Sequence, residues 1–311
     1  MPIGAAELEA EPHLEGGKRM QENIQNIKSF LSAEIASKLE LFTGEIREIR
    51  LRVGKPMMLR TAKGEYVGSY KPQAGDIRET VEKISQYSMY AFENELACGY
   101  ITLPGGHRVG VCGQVVLENG LVHGWRFISG LNIRVAHSVH GSADGILPQI
   151  LNDGFLYHTM IISPPGFGKT TILRDIVRQI SDGGLTVGLV DERSEVAGSF
   201  QGVAQNDVGI RTDILDGCPK SVAMEMLLRS MSPDVIAVDE LGGAQDVQAV
   251  DAVLCAGVKL LCTAHGNNIE DVAESPTLGA LIGRNIFERF VVLGAPGHVA
   301  GIFNSEGGAL K

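Results

Sequence analysis

Aromatic side chains are scarce in this 311-residue chain, at 5% with a single tryptophan. That argues against a platform on which single-stranded bases stack. Positive charge is short as well: 27 Lys and Arg stand against 37 Asp and Glu, a formal net charge of −10. Such a balance is not the footprint of a general nucleic-acid binder, and any basic patch would have to be local. The five cysteines, Cys98, Cys112, Cys218, Cys255 and Cys262, are scattered and form no CxxC pair. A disulfide framework or a thiolate zinc site is therefore not expected, and reduced thiols in a cytosolic setting are. No run of about 18 apolar residues occurs. The best stretch, Ala249 to Ala264, is broken by Asp251 and Lys259 and reads as buried helix plus strand. The opening MPIGAAELEAEPHLEGG is acidic and lacks an apolar core, so it is not read as a signal peptide. The expectation is a cytoplasmic chain without a transmembrane segment, able to dock on a membrane or a membrane protein.

What is present is an ordinary globular composition, 44% apolar and 21% charged, in a length that suits two domains. Residues 1–17 are expected to be a disordered tail. Apolar residues at helical spacing run from Met20 to Leu41. Glu45 to Val53 (EIREIRLRV) alternates charged and aliphatic side chains, as a half-buried strand does. Further strands are expected over Met57–Thr61, Tyr100–Leu103, His107–Leu117 and Leu131–Ala136, with a helix over Asp76–Tyr87. Residues 18–140 thus read as an α+β N-terminal domain, ended by a linker around Gly141-Ser142-Ala143-Asp144. From 141 to 311 the pattern changes. Short apolar runs at Tyr157–Ile162, Thr186–Val190, Val235–Val238 and Val258–Cys262 alternate with helical stretches 169–182, 220–231 and 245–256. That alternation signals an α/β unit with a mostly parallel sheet covered on both faces.

The chemistry sits in the second half. Ser163 to Thr171 (SPPGFGKTT) follows a strand and opens a helix. Glycines there let backbone N–H groups curl around a phosphate, and the helix N-terminus adds partial positive charge. Pro165, Gly166, Phe167, Gly168, Lys169, Thr170 and Thr171 are the nucleotide-binding candidates. Lys169 reaches the β- and γ-phosphates, and Thr170 ligates Mg²⁺. Ser163 stands where the strict GxxxxGK[ST] pattern has glycine. About 70 residues on, DVIAVDE is an apolar strand ending in Asp239 and Glu240. An acidic strand end is common in any α/β protein; coupled to a phosphate loop, it supplies one carboxylate for Mg²⁺ and one to polarise the attacking water. VGLVDER gives a second such strand, ending in Asp191 and Glu192. His265 ends the strand in KLLCTAHG and can hydrogen-bond a γ-phosphate. Arginines neutralise charge that spreads over the γ-oxygens; Arg108 and Arg134 in the first half are the candidates, with Arg211, Arg229 and Arg284 behind them.

The order of these pieces resembles the hexameric secretion ATPases of type II and type IV secretion and pilus retraction. EIRLRVGKPMML resembles the opening strands of their N-terminal domain, VGLVDERSE their Asp box, LLRSMSPDVIAVDE their Walker B box and KLLCTAHG their histidine box. More narrowly, SPPGFGKTTILRDIVRQIS, VDERSEVAGSFQG, RTDILDGCPK and LLRSMSPDVIAVDELGG resemble the stage III sporulation AA family of endospore-forming bacteria, over nearly the whole chain after residue 20. The resemblance implies a RecA-like P-loop core behind an α+β domain, ATP and Mg²⁺ as ligands, and a ring, expected to be a homo-hexamer, with sites between subunits. It implies a motor that energises the membrane channel complex joining mother cell and forespore, peripheral to that membrane on the mother-cell side. It assigns Lys169 and Thr170 to Walker A, Glu240 to the Walker B glutamate, Asp191 or Glu192 to the water-activating carboxylate, and His265 to the histidine box. Arg108 and Arg134 become the arginines that the N-terminal domain donates.

The departures are informative. Asp239 replaces the usual glycine, which points to Mg²⁺ held as in other P-loop enzymes. Leu241-Gly242-Gly243 replaces the usual Arg-Asp, the Asp box reads Asp-Glu, and the cysteine-rich segment of some secretion ATPases is missing. Adenine over guanine follows from the family, since no Asn-Lys-x-Asp motif is present. Two other classes compete: a nucleic-acid-dependent P-loop ATPase, opposed by the acidic balance, and a nucleotide-controlled assembly scaffold, opposed by the stacked carboxylates. No nucleic-acid partner is expected.

Overall fold

The protein is described by a computed structural model. It describes residues 27–40, 42, 46–61, 63–86, 96, 99–118, 120–136 and 139–310. The expected tail 1–17 lies outside them, as do residues 20–26 and Leu41 of the expected first helix and Tyr87 of the second. The chain divides into two compact units, Met1–His137 and Ser138–Lys311.

In the first unit, residues 27–30 are helical and α1 spans Ala33–Glu40. The helical run breaks at Leu31 and Ser32, where the Ser32 hydroxyl accepts from Ile35 N at 3.4 Å and restarts the helix as a cap. Strands β1 (Ile46–Arg52), β2 (Met58–Thr61) and β3 (Gly64–Val67) precede α2 (Ala74–Ile84). Strands β4 (Tyr100–Leu103), β5 (His107–Glu118) and β6 (Leu121–Arg134) follow. Together they form a six-stranded sheet of order β3-β2-β1-β6-β5-β4, antiparallel at every pairing. Ile49, Leu59, Val109 and Ile133 are buried with Ile77 and Val81 of α2 and Ile35 of α1. Strand β6 is much longer than the expected Leu131–Ala136. Its first eight residues, Leu121–Ile128, run beside β5 beyond the rest of the sheet, and the β5–β6 pairing carries three register shifts. Both faces of that ribbon meet water, so no two-residue apolar alternation marks it in the sequence.

The second unit opens with α3 (Leu147–Ile150) and a small hairpin, β7 (Leu151–Asn152) with β8 (Phe155–Leu156). Then come β9 (Thr159–Ser163), α4 (Lys169–Asp182), β10 (Val187–Asp191), β11 (Thr212–Asp216), α5 (Lys220–Ser230), β12 (Val235–Val238) and α6 (Ala244–Cys255). The chain ends through β13 (Lys259–His265), α7 (Ile269–Ala273), α8 (Leu278–Gly283), β14 (Arg289–Ala295) and β15 (His298–Asn304). The seven-stranded sheet runs β11-β10-β12-β13-β9-β14-β15. Only the β14–β15 pair is antiparallel. Continuous apolar strands become two-sided cores here. Ile172, Leu173, Ile176 and Ile180 of α4 fill one face. Ala223, Met224 and Leu227 of α5, Val250 and Val253 of α6, and Phe287 fill the other. The doubly covered parallel sheet brings the carboxyl ends of β11, β10, β12, β13 and β9 into one row, where α/β proteins hold ligands.

A candidate nucleotide site at the carboxyl ends of five strands

The phosphate loop is shaped by two glycines. Gly166 has φ +80° and Gly168 φ +95°, and Gly168 is the N-cap of α4. L side chains resist that region, so glycine is required at both places. Ser163 needs no such freedom: it is the last residue of β9, fully buried, and absent from the positive-φ positions. Serine therefore replaces the expected glycine without backbone strain. Phe167 packs on the core beneath α4, and its carbonyl accepts from Gly297 N at 2.9 Å, fastening the loop to the turn between β14 and β15. Pro165 is exposed and Thr171 half-buried on the first turn of α4.

Lys169 is 5% exposed. Its Nζ donates to Ser163 O at 3.2 Å and to His265 Nδ1 at 3.1 Å. Burial pushes its pKa below the usual lysine value, partly offset by Glu240 and Asp239. An ammonium only donates, so Nδ1 of His265 accepts and the imidazole proton falls on Nε2. That Nε2 meets Glu240 Oε1 at 2.8 Å, and Arg193 donates to Glu240 Oε2 at 2.9 Å. Lys169, His265, Glu240 and Arg193 form one continuous chain. Glu240 itself sits at φ +56°, an uncommon setting for glutamate.

Beside this chain lies the hydroxyl–carboxylate pair. Thr170 Oγ1 donates to Asp239 Oδ2 at 2.9 Å, and Thr263 Oγ1 donates to Oδ1 at 2.6 Å. Burial raises the Asp239 pKa above the usual carboxylate range, and the two hydroxyls offset part of that. Thr263 also accepts from Glu240 N at 2.7 Å and so locks the strained backbone of Glu240.

The two Asp-box carboxylates have different surroundings. Asp191 is 1% exposed. Its Oδ1 accepts from Glu195 N at 2.9 Å; its Oδ2 accepts from Val196 N at 3.1 Å and Ala197 N at 2.8 Å. Burial raises its pKa and the three backbone amides pull the other way. Arg174 of α4 grips the same loop, donating to Val196 O at 2.5 Å and Glu195 O at 2.7 Å. Asp191 is thus the clamp of the 194–197 turn. Glu192 points instead to Lys220, with which it is ion-paired. Asp191, Glu192, Arg193, Glu195, Lys220, Asp239 and Glu240 line a cleft of about 10 Å³, the scale of one water.

The structure brings Lys169, Thr170, Asp239, Glu240, His265, Asp191 and Glu192 together. Arg108 and Arg134 belong to the first unit, where they are direct cross-strand neighbours on β5 and β6. The Arg108 guanidinium lies 3.7 Å from the Tyr100 ring centroid. Reading the sequence missed Thr263, Arg193, Arg174 and Lys220. Only Lys220 carried a signal, a lysine on the first turn of a helix, against the helix dipole.

The loop fits a nucleoside triphosphate. Its glycines open the backbone where a phosphate would lie, and a Cβ on Gly166 would meet nothing within 4 Å. Thr170 beside Asp239 fits a Mg²⁺ ion that takes most of its ligands from water and phosphate.

Comparison with known proteins agrees with the fold. The family model described as "Sporulation stage III, protein AA" matches residues 18–310. Stage III sporulation protein AA of Bacillus subtilis (strain 168) is 42% identical over 276 residues, covering 86% of this chain and 89% of that protein. Among solved structures, the ATPase DotB of Legionella pneumophila superposes with a TM-score of 0.55 at 15% identity, over 91% of this chain and 78% of its own. The pilus retraction motor PilT gives 0.52 at 14% identity, over 83% and 76%. At such identity the likeness is one of fold, that of the RecA-like secretion ATPases.

Proposed function

The chain belongs to the sporulation stage III, protein AA family, and on that premise we propose that it is a motor ATPase that hydrolyses Mg²⁺-ATP to move a partner. The observation that carries this reading is the unbroken chain from the phosphate-loop Lys169 through His265 to Glu240 and Arg193. A structural turn has no use for a buried lysine coupled to a strand-end glutamate. A phosphate-responsive site does, because a γ-phosphate competes for Lys169 and releases His265 and Glu240 from it.

Lys169 and the loop amides bind the β- and γ-phosphates. Thr170 and Asp239 would hold Mg²⁺, which would supply charge neutralisation when bound. Glu240, aimed by His265 and Arg193, polarises the attacking water as the general base. Arg108 and Arg134 complete the site of a neighbouring copy in a ring of six. The name of the Bacillus relative, a stage III sporulation protein, supports sporulation as the setting; a membrane channel between mother cell and forespore is the partner we propose. That would place the protein in the mother-cell cytoplasm at the membrane surface. Among the described residues no helix is long and apolar enough to cross a membrane.

The test is ATP turnover by the purified protein and its Glu240→Gln variant, across protein concentrations, with and without DNA. We expect turnover that climbs with concentration, ignores DNA and falls by roughly 10²-fold or more in Glu240→Gln. Turnover that depends on DNA would replace the motor by a nucleic-acid-dependent ATPase. Nucleotide binding without turnover under every condition would leave an assembly scaffold.

A further inference from the structure

Lys220 stands where electrostatics disfavours a cation. It is the first residue of α5, and the N-terminus of an eleven-residue helix carries partial positive charge from unpaired amides. Its side chain is 11% exposed, so the ammonium has also lost most of its water. The packing of α5 does not ask for lysine there, since the helix meets the core through Ala223, Met224 and Leu227.

The backbone itself carries Lys220 to the site. Strand β11 runs parallel to β10 with Asp216 opposite Asp191. Gly217, at φ +66°, donates from its N to Asp191 O at 3.1 Å and turns the chain over the end of β10. There the ammonium meets Glu192 Oε2. Both side chains line the cleft with Asp239 and Glu240. Asp191, by contrast, has both oxygens taken up by backbone amides. A carboxylate already accepting three N–H bonds from its own loop is poorly placed to take a proton from water.

We propose that Lys220 is a positioning residue for hydrolysis: its ammonium pins the Glu192 carboxylate in the cleft beside Glu240. Glu192, not Asp191, is then the second carboxylate that orients the attacking water. A single oxygen on Lys220 leaves Oε1 of Glu192 as the acceptor. The inference rests on the ATPase reading above and adds to it the choice between the two Asp-box acids and a residue to which no role was assigned.

The experiment is steady-state ATP turnover by the full chain carrying Lys220→Gln, Lys220→Arg, Glu192→Gln and the Glu192→Gln/Lys220→Gln pair, with a thermal melt of each. We expect Lys220→Gln to lower kcat by roughly tenfold while KM for ATP stays within about twofold, because the lost effect is on the reacting water and not on binding. Lys220→Arg should recover most of the rate. In the Glu192→Gln background Lys220→Gln should cause no further loss, the mark of two residues acting as one unit. Glu192→Gln keeps an amide oxygen for Lys220 to donate to and the double variant keeps no unpaired charge, so their comparison stands even where Lys220→Gln alone melts early. Wild-type kcat in Lys220→Gln, or losses that multiply in the double variant, would overturn the inference and leave the ATPase reading in place. No turnover by the wild-type protein would overturn both.

Discussion

Thr263→Val is the sharpest test of how the site is held. The side chain is fully buried. Its hydroxyl does two jobs: it donates to Asp239 Oδ1 at 2.6 Å and accepts from Glu240 N at 2.7 Å. Valine keeps the shape and removes both bonds. A hydrogen bond to a charged group contributes about 1.5–3 kcal/mol, and stranding a buried N–H costs about 1–3 kcal/mol. The two losses share one atom and overlap, so a total of roughly 2–5 kcal/mol is expected. In a unit of this size about 2–4 °C of melting temperature follows each kcal/mol, which gives a fall of roughly 4–20 °C. Thr263→Ser keeps the hydroxyl and loses one methyl, at about 1 kcal/mol. Scanning calorimetry of the three proteins without nucleotide reads the difference, and urea unfolding checks it. Turnover should fall in Thr263→Val and persist in Thr263→Ser, because Glu240 is held at φ +56° by that bond. Equal melting of Thr263→Val and wild type would refute the argument that this hydroxyl fixes the strand-end acids.

Four further outcomes follow from the same geometry. Lys169→Ala should abolish nucleotide binding in a fluorescent-ATP titration, and tight binding there would remove the loop from the site. Asp191→Ala strands three backbone amides and should destabilise by about 3–5 kcal/mol, whereas Glu192→Gln keeps an amide oxygen for Lys220 to donate to and should cost less in the same urea titration. The Asp239 pKa is raised by burial, so its contribution to stability is present below the unfolded carboxylate pKa and is lost as pH rises through the higher folded value. Asp239→Asn should therefore raise the neutral-pH stability of the nucleotide-free protein and flatten its pH profile in that acid window; a drop in melting temperature would refute this. Arg108→Ala and Arg134→Ala should bind ATP normally and turn it over slowly, and normal rates in both would remove them from the mechanism.

The parts of the site that could be read from the sequence are those whose signal is local. A run such as Thr159–Ser163, buried at every position, is legible because a strand covered on both faces needs apolar residues without a break. Gly166 and Gly168 are legible because their backbone geometry excludes other residues. Helix 169–182 matched the expected limits, since its apolar stripe repeats at helical spacing. Strands β11, β14 and β15 and the first ten residues of β6 were not read. Strand β11 carries Asp near its start and at its end, and an exposure pattern without full burial, and the β6 ribbon has no buried face to impose a period.

The sequence by itself determined the local pieces: a glycine-bearing loop between strand and helix, and strands that end in acid, each encoded within a few neighbouring residues. Only the tertiary structure decided what surrounds each acid. Parallel pairing permutes the strands, setting β10 beside β12 and β13 beside β9, so Thr170 meets Asp239 across 69 residues and Lys169 meets His265 across 96. Asp191 and Glu192 are neighbours in sequence, but alternate side chains leave a strand end in opposite directions. One turns in to close a loop and the other turns out to a lysine that arrives from the sheet edge. No local pattern encodes that division, because each partner is supplied by a strand or helix distant in the chain.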